Sequence, residues 1–407
     1  MNIHAQEERG MHSQSYTAKE LARCASCTEM HDLEYANRDE LENELEELMI
    51  PLIESDGFRM EWECIGELCV NSKRDDKQYL YQNLLVRKIC KNVGGIYKVK
   101  QANRNAIIRQ VRSLMKAPCE LFVLRLDIHH FYESINAAYV LERLRVDGKV
   151  NAQTIKYVAR IFETIWALGV RGLPKGVGIS AVFSELLMKK FDYEVKRLDG
   201  VYYYARFVDD MILFCNTQSV MDAAYERIEE LLGEMQLSLN DGKTIRWTVA
   251  SGKPLEYLGY SFTKVSATTK QVEVSIAVNK VKKIKTRIVR SFMAYMRNRN
   301  YAMLRKRMRY LTGNFSLRVT DSPIQPGVGL YYNYKYIDRD CSALRDIQSF
   351  YMAFLHCRNG RLGMALVSNL TGDEYKELES YSFVFGFKNK VHHAFQRSEI
   401  RQITRIW

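Results

Sequence analysis

The chain has 407 residues, enough for a sizeable core and more than a single core holds, since cores stop growing near ~250–300 residues. Its 60 Lys and Arg exceed its 48 Asp and Glu by 12, and residues 275–310 alone carry twelve basic side chains and no acidic one. Such a concentrated surplus points to a polyanion such as nucleic acid or an anionic surface, while no apolar run approaches the ~18 residues of a spanning helix.

The nine cysteines are irregularly spaced, and the opening MNIHAQEERG has neither an apolar core nor a cleavage site of the secretory type. Reduced thiols in the cytoplasm are therefore expected. Cys24 and Cys27 form a CxxC with His31 behind it, but no second pair follows at zinc spacing, so no zinc site is assigned.

After a polar stretch, RDELENELEELMIPL sets Leu41, Leu45, Leu48 and Met49 at helical spacing on an acidic helix that Pro51 helps to end. Residues 78–116 read as mostly helical and rich in Lys and Arg. FVLRLDI (122–128) alternates as a strand, and TIKYVARIFETIWAL (154–168) is a helix. GLPKGVGIS (172–180) is a glycine-punctuated turn leading into a helical run, and VYYYARF (201–207) and MILFC (211–215) are two strands around Asp209 and Asp210. A helix from 222 to 235 and the strand-like TIRWTVA and LEYLGYSFT complete an α+β block to about residue 265. Beyond it Val278, Val281, Ile284, Ile288, Phe292 and Tyr295 form an apolar helical stripe opposite an almost wholly basic face.

Two adjacent carboxylates between apolar strands imply an exposed hairpin tip or a bound cation, because burying bare charge is costly. Asp209 and Asp210 alone fit the tip, as acidic residues are common turn formers. Asp127, ending another apolar strand, adds a third carboxylate in a context that suits a metal ligand. Oxygen donors of this kind suit Mg²⁺, which binds through one or two carboxylates plus substrate phosphates.

LDIHHFY, GLPKGVGIS, FVDD, LSLNDGKT and LEYLGY stand in the order of the palm motifs of reverse transcriptases across roughly residues 120–262, and the chain resembles a bacterial member of that family. The resemblance implies a right-hand polymerase: a helical extension over 1–60, fingers over 61–120, an antiparallel palm over 121–265, and a helical thumb and C-terminal region over 266–407. It implies that Asp127 and Asp209, with the Ile128 carbonyl and with Asp210 beside them, hold two Mg²⁺ ions, Mn²⁺ being an alternative. Lys243 corresponds to the lysine that protonates departing pyrophosphate, and Tyr132 to the bulky residue under the incoming sugar, so dNTPs are the expected substrate. Lys175, Gly176 and Ser180 would line the nascent pair, the glycines letting backbone approach a base pair closely. Leu258 and Gly259 would form the primer grip. Lys98, Lys100 and Arg104 are the candidate triphosphate ligands, and Lys282, Lys283, Arg287 and Arg290 the candidate nucleic-acid contacts of the thumb.

Gly176, Gly178 and Ala181 also fit a dinucleotide fingerprint, which is set aside because a helical pattern and Pro174, rather than a strand, precede them. The sequence departs from the family at Lys175, where glutamine is common, at Val177 and Gly178, and at Phe207, where tyrosine is common. With no recognisable maturase, endonuclease or RNase H segment, the chain looks like the defence-associated bacterial reverse transcriptases, among them abortive-infection and retron relatives. TGNFSL (312–317) and GLYYNYKYI (329–337) also look like features of that group. That resemblance implies a noncoding RNA template, a DNA product, and either a second defence protein or further copies of the chain as partners. The alternatives are an untemplated or protein-primed DNA polymerase, an RNA polymerase, which Tyr132 disfavours, and a noncatalytic RNA-binding scaffold.

Overall fold

The computed structural model describes residues 13–66, 68–71, 76–316 and 327–407. MNIHAQEERG and Leu317 lie outside them. The described residues are α+β, as expected, with every named pair of strands antiparallel. Among them no helix is long and apolar enough to cross a membrane. Residues up to 103 together with 121–247 form one compact unit, and 104–120 with 248–407 a second. The break after Trp247 falls earlier than the palm limit of 265, and residues 104–120 leave the stretch assigned to the fingers for the second unit.

In the first unit, β1 (Trp62–Ile65) and β2 (Leu68–Asn71) make a hairpin that the sequence pattern did not reveal. Cys64 and Cys69 stand directly opposite in its register, their Cα atoms 4.1 Å apart, and are joined as a disulfide. This pair corrects the expectation of reduced thiols throughout. Another correction concerns Pro51, which does not end the acidic helix Arg38–Leu48 but sits in the first turn of a second helix, Ile50–Glu54. Its missing N–H is harmless there.

The main sheet has the order β4–β5–β3–β6, with β3 Phe122–Asp127, β4 Val201–Phe207, β5 Asp210–Cys215 and β6 Ile245–Thr248. Its alternation explains its burial. Leu124, Leu126, Met211, Leu213 and Cys215 point to one face and join the core cluster with Ile228, Leu231 and Leu232 of the helix Gln218–Glu234 and with Phe183 and Leu187 of the helix Gly178–Val195. Arg125 and Asp127 alternate with those leucines and take the other face of β3, an interior strand.

In the second unit, β7 (Leu255–Tyr257), β8 (Tyr260–Thr263) and β9 (Glu273–Ile276) form an antiparallel sheet, and Leu258–Gly259 is the two-residue turn between the first two. Both turn residues have positive φ, +46° and +85°, as a tight hairpin of this length requires. The basic helix spans Val278–Asn298 and buries Ile284, Ile288, Phe292 and Tyr295, the last four positions of the apolar stripe, while Val278 at its start is exposed. β10 (Asn314–Ser316) pairs with β11 (Gly327–Gly329).

Candidate active site

The hairpin β4–β5 turns through two residues, Val208 and Asp209, with Phe207 paired to Asp210 across it. Val208 takes the left-handed conformation, φ +61°, which a β-branched residue rarely adopts. Asp127 ends β3 directly opposite Asp210, and the Ile128 amide donates to the Asp209 carbonyl at 3.2 Å. Sheet register thus brings Asp127 together with Asp209 and Asp210, more than eighty residues further along the chain.

Their environments differ. The Asp127 side chain is only 5% exposed and accepts a 2.8 Å hydrogen bond at Oδ1 from Lys243 Nζ. Lys243 sits on the short turn Asp241–Lys243, itself pinned because the Asn240 amide donates to the Asp127 carbonyl at 2.8 Å. That bond to Asp127 raises the Lys243 pKa against the opposing effect of burial, with Asp209 and Asp210 adding attraction. Asp209 has its pKa raised, first by burial and then by repulsion from Asp127 and Asp210, which outweigh the hydrogen bonding and the Lys243 charge that lower it. Asp210 is drawn aside: its Oδ1 accepts from Arg125 Nη2 at 3.0 Å and Nε at 3.3 Å.

Asp127, Ile128, Asp209, Lys243, Tyr132 and Lys175 line one open cleft of about 440 Å³, together with Asn240, Glu133 and residues 129–131. Tyr132 is half-buried in its wall, and burial raises its pKa. Lys175 forms an ion pair with Glu133. Gly176 needs its positive φ of +88°, and a Cβ there would lie 2.7 Å from the Cys69 carbonyl. Its smallness therefore serves the docking of β2, whose Cys69 amide donates to the Lys175 carbonyl at 2.8 Å. Ser180, expected to line the nascent pair, is 3% exposed and donates its hydroxyl to the Pro174 carbonyl at 2.6 Å.

Lys98 and Lys100 are exposed in the first unit but do not line the cleft. Arg104 belongs to the second unit, where it donates to the carbonyls of Leu258 and Asn333 and lies over the Tyr260 ring, so its guanidinium supports the Leu258–Gly259 turn. Lys282, Lys283 and Arg290 are exposed on the basic helix, whereas Arg287 is stacked on the Trp407 ring, 5.1 Å from its centroid. Asn240, Arg125 and Glu133 went unrecognised in the sequence. Arg125 was accessible by alternation, two residues before Asp127 on the same face.

The donors facing the cleft are hard oxygens short of compensating positive charge, the chemistry a divalent cation satisfies. Among the described residues no three His, Cys, Asp or Glu side chains already form a metal-holding group. The Arg125 contact accounts for this by withdrawing Asp210, which leaves two carboxylates, Asp127 and Asp209. That number suits an ion that also takes phosphate oxygens and water.

A carboxylate-lined cleft at the turn of an antiparallel hairpin, with a lysine on one carboxylate and a tyrosine in the wall, suits phosphoryl chemistry on nucleotides. Residues 71–262, just under half of the chain, match the family model described as Reverse transcriptase (RNA-dependent DNA polymerase). The match marks residues 71–262 as a reverse transcriptase domain. No curated protein matches it.

Among solved structures, apo telomerase from Candida tropicalis aligns at 11% identity and a TM-score of 0.39, over 85% of this chain and 61% of that one. A version of it truncated of its C-terminal domain aligns at 12% and 0.37, over 53% and 54%. Telomerase from Candida albicans in complex with a fragment of telomeric RNA aligns at 12% and 0.35, over 83% and 66%. This chain thus spans from about half to two thirds of their length. At such scores the superpositions do not define its fold or its activity.

Proposed function

We propose that this chain is an RNA-directed DNA polymerase that joins dNTPs by attack of a primer 3′-hydroxyl on the α-phosphate. The observation that carries the reading is the convergence of Asp127, Asp209 and Lys243 with Tyr132 in one cleft inside the matched domain. Asp127 and Asp209, with the Ile128 carbonyl, would hold Mg²⁺. Bound there, the ions would neutralise charge developing on the attacking and leaving oxygens. Lys243, its proton held firmly by Asp127, is placed to release it to departing pyrophosphate once the carboxylate takes another cation. Tyr132 lines the cleft, and a ring beneath the incoming sugar would exclude a ribose 2′-hydroxyl and so favour deoxynucleotides.

The finer reading is a bacterial, cytoplasmic enzyme of antiviral defence copying a noncoding RNA, with a second defence protein or further copies of itself. It is supported by the departures at Lys175, Val177 and Gly178 and by the basic helix at 278–298. The test compares labelled dNTP and NTP incorporation on an RNA template with a DNA primer, in the wild type and Asp209→Ala. The expected result is dNTP incorporation that Asp209→Ala abolishes. Preference for NTPs, or synthesis untouched by the substitution, refutes the proposal. Sequencing of copurified nucleic acid before and after dNTP addition identifies the template and separates templated from untemplated or protein-primed synthesis.

A further inference from the structure

We infer that Arg206 is a positioning residue that clamps the Val208–Asp209 turn and thereby fixes the Asp209 carboxylate for cation binding, an inference that rests on reading Asp209 as a metal ligand. Arg206 lies in β4, three residues before Asp209, and its side chain is 3% exposed. All five of its guanidinium N–H groups have acceptors. Nε donates to Asp192 Oδ1 at 2.8 Å and Nη2 to Asp192 Oδ2 at 2.7 Å. Nη2 and Nη1 donate to the two Glu185 oxygens at 2.8 and 3.0 Å. The remaining N–H of Nη1 donates to the Val208 carbonyl at 2.9 Å.

This arrangement joins two things that chain geometry alone leaves independent. Glu185 and Asp192 lie on the helix Gly178–Val195, two turns apart on one side, and the helix is anchored by its own core residues. The Val208 carbonyl belongs to a turn held in a left-handed conformation that a β-branched residue resists. A buried cation facing two carboxylates needs a further donor for balance, and the Tyr204 hydroxyl supplies one to Asp192 Oδ1 at 2.7 Å. The planar fork of arginine is what allows one side chain to reach both carboxylates and the carbonyl. A lysine offers three donors from a single point and cannot span them. With the clamp gone, Val208 relaxes toward negative φ, and Asp209, the next residue, swings out of register with Asp127.

The test measures Mn²⁺ binding to the nucleotide-free protein by electron paramagnetic resonance for the wild type, Arg206→Lys, Val208→Gly and the double variant. Arg206→Lys is expected to weaken Mn²⁺ binding about tenfold, as loss of a group supporting a ligand commonly does. Val208→Gly in the same chain should restore most of that loss, because glycine takes positive φ without cost. Unchanged affinity in Arg206→Lys overturns the inference, and so does lost affinity that Val208→Gly fails to restore, which would mark Arg206 as general packing. If Arg206→Lys does not fold, as judged by circular dichroism, Glu185→Gln takes its place, because it loosens the guanidinium without removing it. The same two outcomes then decide. A wild type that binds no Mn²⁺ overturns both the metal reading and the clamp. One that binds Mn²⁺ but incorporates no nucleotide overturns the polymerase reading alone.

Discussion

On the proposed reading, a divalent cation would compete with Lys243 for the same oxygen, Asp127 Oδ1, and this competition predicts that Lys243→Met moves metal affinity and turnover in opposite directions. Asp127 is almost wholly buried at its side chain, whereas the Lys243 side chain is 55% exposed. A hydrogen bond between charged groups is worth roughly 1.5–3 kcal/mol, and screening at the exposed partner brings this pair to about 1 kcal/mol. Removing the ammonium therefore destabilises the metal-free protein by about 1 kcal/mol, a fall in Tm of about 2–4 °C for a cooperative unit of this size. The cation no longer has to displace the lysine, so it binds about fivefold more tightly. Turnover falls nonetheless, by about 100-fold, because the leaving pyrophosphate loses its proton donor. The lysine pKa is raised in the folded protein, so the contribution of the pair is fully present below the unfolded value near ~10.4. It disappears as pH rises through the folded one. Thermal melts in chelator and in Mg²⁺, Mn²⁺ titration by electron paramagnetic resonance, and single-turnover incorporation read the three quantities separately. Weaker Mn²⁺ binding in Lys243→Met would refute the competition, and unchanged turnover would refute the role of Lys243 as proton donor.

Asp209→Asn should stabilise the metal-free protein at neutral pH while abolishing synthesis. The folded Asp209 pKa is raised, so its favourable contribution is fully present below the unfolded value near ~3.9 and is lost as pH rises through the folded one; the gain from asparagine must shrink in melts taken toward pH 4. Gly176→Ala sets a Cβ against the Cys69 carbonyl at a positive φ and should cost about 2 kcal/mol. The Cys69 amide should then lose hydrogen-exchange protection, because its bond to the Lys175 carbonyl breaks. Gln at both Lys282 and Lys283 should weaken RNA binding and lower the slope of log affinity against log salt by about 2, whereas Arg287→Gln, its guanidinium already stacked on Trp407, should change the slope less.

The elements that depend on local pattern were legible in the sequence. β3 follows from alternation, β4 and β5 from apolar and aromatic runs on either side of the aspartates, and the helix Val278–Asn298 from its apolar stripe. Two short pieces were not. The hairpin β1–β2 has strands of four residues each, too short for a period to emerge, and it is stabilised by Cys69 pairing with Lys175, more than a hundred residues away. The gap at 97–103 interrupts a helical pattern where Lys98 takes a positive φ, a conformation that no side-chain preference announces.

The site divides along the same line. Asp127, Asp209 and Lys243 were identified as short motifs, and the register that gathers them is a property of neighbouring strands. Arg104 was read as a candidate triphosphate ligand, and a cation that meets a nucleotide and a cation that braces a turn look identical in one dimension. What distinguishes them is the company of acceptors: the carbonyls of Leu258 and Asn333 already hold Arg104, while Lys243 faces a carboxylate that a metal ion could take from it. A basic residue engaged only by backbone carbonyls has little to exchange when a phosphate arrives. One paired with a buried carboxylate can be displaced by a cation that binds that carboxylate, and Lys243 is paired in this way whereas Arg104 is held by carbonyls.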